Sequence, residues 1–168
     1  MDLGLKDKIV IVTGGAKGIG EGISRTLAKE GTTPIIIGRN EEDNEKLLNE
    51  IIANGKQAFQ VVAELTRPDE CEKAVRAVVE KFGRIEGLVN NAGVNDGVGL
   101  EHGNYERFMQ SLHKNLVHYY LMAQHALPYL KISKGSIVNI SSKTAETKQR
   151  HTSAYAASNE KHNALTKE

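Results

Sequence analysis

The run Thr13-Gly14-Gly15-Ala16-Lys17-Gly18-Ile19-Gly20 carries the plainest chemical signal in the sequence. Glycines so spaced permit a tight turn, let backbone approach a pyrophosphate, and let a following helix pack closely on a preceding strand. A helix starting there offers unpaired N–H groups and the positive end of its dipole to phosphate oxygens. Gly14, Lys17, Gly18, Ile19 and Gly20 are therefore candidate dinucleotide-binding residues. In NAD sites a carboxylate at the end of the second strand bonds the adenosine ribose. Here that position reads Gly38-Arg39, and Lys17 adds a second cation from the loop. Two cations and no acid suit a 2′-phosphate, so NADP is the expected cofactor, with NAD the alternative.

That loop needs a strand before it and a helix after it, and the chain supplies both. Residues Lys8 to Thr13 form a continuous, mostly β-branched run, as in a parallel strand buried on both faces. A helix is predicted from Gly20 to Glu30, a strand from Pro34 to Gly38, and a charged helix from Glu41 to Asn54. A third strand is expected over Gln57 to Ala63, then a helix over Pro68 to Phe82 with proline in its first turn and Gly83 at its end. A fourth strand follows over Ile85 to Asn90, and a long helix over Asn104 to Lys131 that Pro128 should bend or end early. The fifth strand is expected over Ser136 to Ser141, and a last helix from near Ser153. Strict alternation of this kind means an α/β fold. The prediction is a Rossmann-type doubly wound parallel sheet of about five strands in order 3-2-1-4-5, with helices on both faces. Residues 1–168 read as a single dinucleotide-binding domain.

The glycine loop, then Asn90-Asn91-Ala92-Gly93, then Ser142, then Tyr155 resemble the short-chain dehydrogenase/reductase family in order and spacing. The resemblance covers essentially the whole chain. Within the family it is most similar to bacterial L-fucose dehydrogenase-like members, through Leu88 to Glu101, Lys114 to Tyr120 and Ile137 to Thr147. It implies an NAD(P)-dependent oxidoreductase acting by hydride transfer on a sugar or a secondary alcohol or ketone. It further implies that Tyr155 passes the proton and that Ser142, thirteen residues earlier, holds the substrate oxygen in preference to Ser141. Asn115 matches the helix asparagine that supports a proton-relay water, and Glu64 the acid that contacts the adenine amino group. Asn91, Ala92 and Gly93 match the turn that braces the central sheet beside the cofactor.

Two departures bear on activity. Four residues after the tyrosine the family carries a lysine, and this chain has Asn159. A phenol titrates near 10, so bringing it to about 7 takes roughly 4 kcal/mol, which a neutral amide cannot supply as a charge. On a helix Lys161 falls on the wrong side of Tyr155, and His162 returns to its face only about 10 Å further along. The expected consequence is turnover at least about 100-fold below a lysine-bearing relative. The second departure is length: family members continue for two more strands, whereas Glu168 falls within the helix carrying Tyr155. The resemblance thus implies a domain truncated relative to the family, its sheet edge exposed or covered by a partner. A non-catalytic NADP-binding fragment or pseudoenzyme is the alternative reading. An oligomerising scaffold, pairing copies through the helices at 104–131 and 153–168, is a third.

Composition narrows the remaining classes. With 22 basic and 21 acidic residues the net charge is +1, which gives no electrostatic case for nucleic acid or an anionic membrane. No apolar run approaches the roughly 20 residues that span a bilayer. The start MDLGLKDK has no signal-peptide stretch, and the single Cys71 excludes an intrachain disulfide. The expectation is a cytoplasmic protein with a small-molecule substrate and Cys71 as a packed thiol. The six histidines lack metal-ligand spacing and are expected in packing or subunit contacts. Tyr119 and Tyr120 read as core and interface, Arg39 to Glu45 as a solvated helix start apart from Arg39, and Asn95 and Asp96 as turn residues able to reach a polyol.

Overall fold

Strand β1 (Ile9–Thr13) is buried along its whole length, so both of its faces must be covered. Ile9 and Ile11 pack into the cluster shared with helices α3 (Pro68–Phe82) and α5 (His118–Ser133). Val10 and Val12 face the opposite way, toward Ile23 and Leu27 of α1 (Gly18–Lys29). The same alternation divides β2 (Thr33–Gly38): Ile35 and Ile37 join the first cluster, whereas Ile36 packs with Leu47 and Ile51 of α2 (Glu41–Ala53). Helices therefore lie on both faces of the sheet, and the period of two explains which residue serves which layer.

The sheet has five strands in the order β3-β2-β1-β4-β5, all parallel, with β3 at Phe59–Val62, β4 at Gly87–Asn90 and β5 at Ser136–Asn139. Val10 stands opposite Gly87, and Ile11 opposite both Ile35 and Leu88. The order reverses between β1 and β4, which opens a crevice at their carboxyl ends where ligands of such sheets bind. The structure is a computed structural model that describes residues 3–142 and 151–165, with side chains through Glu160. Lys143 to Thr147 of the resembling stretch, and the side chains of Lys161 and His162, lie outside the described residues.

Several boundaries differ from expectation. β5 stops at Asn139 and not Ser141, because β4 ends at Asn90 and the Ile140 N–H makes the last rung to the Asn90 carbonyl at 2.8 Å. The long helix is continuous but changes its hydrogen-bond register midway, the backbone staying right-handed helical at Leu112, His113, Val117 and His118. It divides into α4 (Tyr105–Leu112), a π turn (His113–Val117) and α5, with α6 (Ser153–Leu165) packed against α4 and the π turn. Pro128 does not end α5, which runs five residues beyond it to Ser133. Both Pro128 and Gln124, whose carbonyl loses an N–H donor, are exposed, so water can take the place of the missing hydrogen bond.

Candidate active site

β1 runs directly into Gly14, whose φ of 61° places it in the left-handed region and whose N–H donates to the Ile37 carbonyl at 2.7 Å. The chain then turns into α1, which begins at Gly18 and not Gly20. A Cβ on Gly20 would lie 2.1 Å from the Gly14 carbonyl oxygen and 2.5 Å from the Asn91 amide nitrogen. Only glycine lets the helix sit this close to its own loop. No side chain caps the start of α1, and the Glu21 N–H bonds the Lys17 carbonyl at 3.2 Å. The amides of Gly18, Ile19 and Gly20 ahead of it are the first-turn donors that a helix leaves without an intrahelical acceptor. Gly14, Lys17 and Ile19 line a cleft of about 950 Å³, while Gly18 and Gly20 shape the loop behind it.

The neighbouring strand end is stitched to this loop. Thr13 Oγ1 accepts from the Asn91 and Ala92 N–H groups at 2.9 and 3.1 Å. The Asn91 side-chain amide donates to the Thr13 and Gly14 carbonyls at 3.0 and 3.2 Å. Asn91 thus holds the ends of β1 and β4 together across the switch point, the geometry of a brace. Ala92 and Gly93 line the cleft beside it.

Where β2 ends, the expectation of two cations without an acid is corrected. Lys17 Nζ lies 2.6 Å from Asp43 Oδ2, and Arg39 lies 3.5 Å from Glu64 Oε2. Nor is Arg39 to Glu45 merely a solvated helix start. Asn40 caps α2 by accepting from the Asp43 N–H at 3.0 Å, Asn44 is buried against the Gly38 carbonyl, and Asp43 lines the cleft. A cap at the first turn of α2 aims the Asp43 carboxylate at the glycine loop. Burial alone would raise the Glu64 carboxyl, but hydrogen bonds from the Thr66 N–H and hydroxyl and from Arg39 hold it below the ordinary carboxylate range. Nothing local in the sequence signals the Lys17–Asp43 pair, which spans two elements.

At the other end Asn115, Tyr119, Ser141, Ser142, Tyr155 and Asn159 line the same cleft. Asn115 sits in the π turn, its side-chain Oδ1 accepting from the Val94 N–H at 2.7 Å and its side-chain Nδ2 donating to the Ser111 carbonyl at 3.0 Å. π turns recur at functional sites, but the residues HKNLV gave no sign of one. The Ser141 hydroxyl donates to the Asn159 carbonyl at 3.1 Å. Asn159 is 3% exposed, and its amide donates to the Tyr155 carbonyl one turn earlier at 2.8 Å. Tyr119, expected in the core, is buried and also lines the cleft, its hydroxyl donating to the Ile140 carbonyl at 3.1 Å. Burial, and then the nearby Tyr155, push its phenol far above the ordinary range, so it stays a protonated donor. Its position four residues after Asn115 was the available sequence signal. Among the described residues no cluster of three histidine, cysteine, aspartate or glutamate side chains could hold a metal. No helix among them is long and apolar enough to cross a membrane.

The short chain dehydrogenase family model matches residues 8–168. The chain belongs to the short chain dehydrogenase family. It is 33% identical over 161 residues to L-fucose dehydrogenase of Oryctolagus cuniculus, an alignment covering 95% of this chain and 55% of that protein. It thus spans a little over half the length of such curated relatives. The solved Cj0485 dehydrogenase superposes with a TM-score of 0.90 at 40% identity, covering 99% of this chain and 63% of that one. A metagenomic short-chain oxidoreductase in complex with NADP superposes with a TM-score of 0.90 at 31% identity, covering 96% of this chain and 74% of that one.

Proposed function

We propose that this chain is the dinucleotide-binding part of an oxidoreductase that holds NADP, with NAD the weaker ligand, and oxidises or reduces a sugar or a secondary alcohol or ketone. The observation that carries this reading is a single cleft running from the uncapped start of α1 to Ser142 and Tyr155. Its residues fit the cofactor. The Gly14 and Gly18 turns leave backbone amides for a pyrophosphate, and a Cβ on Gly18 would meet nothing within 4 Å, so the space over the loop is open. Lys17 and Arg39 would hold a 2′-phosphate, and Glu64 would face the adenine. The NADP in the metagenomic oxidoreductase supports the same choice.

When bound, a nicotinamide dinucleotide exchanges hydride with the carbinol carbon. The chain's own part is to hold and move a proton. The Ser142 hydroxyl bonds the substrate oxygen, Tyr155 takes its proton during oxidation and returns it during reduction, and Asn115 fixes the loop at Val94 beside them. L-fucose, on the name of the mammalian relative, is the first substrate to try. A second reading, dinucleotide binding with little or no turnover, is favoured by Asn159, whose amide bonds its own helix and carries no charge. The test is NADP⁺ reduction by the full chain with L-fucose and a series of secondary alcohols, followed by nicotinamide absorbance. Slow reduction abolished in Tyr155→Phe supports the oxidoreductase; cofactor binding with no reduction supports the second reading. Pairing of copies through α4, α5 and α6 is proposed with it, and light scattering would test that.

A further inference from the structure

One charged pair in the cleft takes no part in the proton chemistry. Asp96 lies in the loop after β4, and Lys114 lies in the π turn directly before Asn115. Both line the cleft that also holds Ser142 and Tyr155. The Asp96 side chain is only 15% exposed. Its Oδ1 accepts from the Ser111 hydroxyl at 2.9 Å, and its Oδ2 lies 3.6 Å from Lys114 Nζ. An ordinary loop aspartate is solvated; this one is sunk into the cleft and fixed to the helical segment opposite. The Val94 N–H bond to Asn115 fixes the same loop a second time, so the carboxylate is held in place before any ligand arrives.

The chemistry of the pair selects its ligand. A carboxylate only accepts hydrogen bonds and an ammonium only donates them, whereas a hydroxyl does both. At 3.6 Å the two groups are in loose contact, so a ligand hydroxyl can donate to Asp96 and accept from Lys114 with little rearrangement. Because the pair is neutral overall, an anionic substrate meets Asp96 and a cationic one meets Lys114, each at a cost. We propose that Asp96 and Lys114 form a hydroxyl-recognition site that selects an uncharged polyhydroxylated substrate over apolar secondary alcohols and over sugar acids. This rests on the reading of the cleft as an oxidoreductase site and names the substrate class for it.

The test measures binding of three probes to the NADPH-loaded chain by calorimetry: L-fucose, D-gluconate and cyclohexanol. NADPH affinity is measured in parallel for the wild type, Asp96→Asn and Lys114→Met. Hydrogen bonds to charged groups contribute about 1.5–3 kcal/mol, so each substitution should weaken L-fucose binding by about 10-fold or more while NADPH affinity stays within about twofold. Asp96→Asn, which leaves the cation alone, should also gain affinity for D-gluconate, an inversion that mere loosening of the loop would not give. Undiminished L-fucose binding in both variants overturns the proposal, as does a wild type that prefers cyclohexanol or binds no L-fucose. A wild type that fails to bind NADPH would instead overturn the reading of the cleft itself.

Discussion

Replacing Asn159 with lysine should place a positive charge beside Tyr155, the proposed proton-transfer group. Asn159 follows Tyr155 by one helical turn, and its amide donates to the Tyr155 carbonyl at 2.8 Å, so the two side chains leave the same side of α6. A lysine there, extended along the helix face, would bring its ammonium to about 5 Å from the phenol oxygen. At an effective dielectric of about 20 that pair interacts by roughly 3 kcal/mol. That attraction favours the phenolate over the phenol and so favours proton removal from an alcohol. The assay is the pH profile of NADP⁺-linked alcohol oxidation. Asn159→Lys should move the ascending, low-pH limb of that profile to lower pH and raise the rate near neutrality by about 100-fold. Ultraviolet titration of tyrosinate in the NADP⁺-saturated protein, with Tyr155→Phe subtracted, reads the same shift without needing turnover. An unmoved limb and an unmoved tyrosinate titration, in a variant that still binds NADPH, would refute the reasoning.

Asp43 would compete with a cofactor phosphate for Lys17, but the lysine is 74% exposed, so the pair is worth no more than about 1 kcal/mol. Asp43→Asn should accordingly strengthen NADPH binding by up to about fivefold and NADH binding hardly at all, as read by nucleotide fluorescence. Gly20→Ala should lower stability by about 1–3 kcal/mol in thermal melts, because its Cβ meets backbone at 2.1 Å. Gly22→Ala, with nothing within 4 Å, should raise stability by about 0.5–1 kcal/mol. Burial, with Asp69 adding to it, pushes the buried Cys71 thiol up to about 11, so thiol reagents near pH 8 should modify it only as the protein unfolds. The sign follows from the raised value. The folded state keeps its proton longer than the unfolded one, so this contribution is full below the ordinary thiol range and is lost as pH climbs toward 11.

The sheet was readable because each of its layers repeats a local rule. The buried runs of β1 and β2 and the Cys71-Ala74-Val75-Val78 stripe of α3 announce their periods residue by residue. The glycine loop was readable for the same reason, since Gly14 and Gly20 answer to geometry within eight residues of chain. Features that depend on distant partners were not. Asp43 meets Lys17 only after β2 has paired with β1, so the cations are visible in the sequence and their carboxylate partner is not. The π turn lies where α4 and the turn itself meet α6 and where Asn115 holds the loop carrying Val94, long-range neighbours that no window around His113 reveals. That Pro128 does not end the helix depends on whether the orphaned carbonyl can reach water, a matter of burial and not of sequence.

The central claim is that the cleft beginning at the glycine loop holds a phosphorylated nicotinamide dinucleotide. Its most direct test is equilibrium titration of the 168-residue chain with NADPH and with NADH, followed by nucleotide fluorescence. Saturable binding that favours NADPH, with the preference lost in Lys17→Met and Arg39→Met, is the predicted result. Binding of neither nucleotide, or a preference for NADH that both substitutions leave untouched, would contradict it.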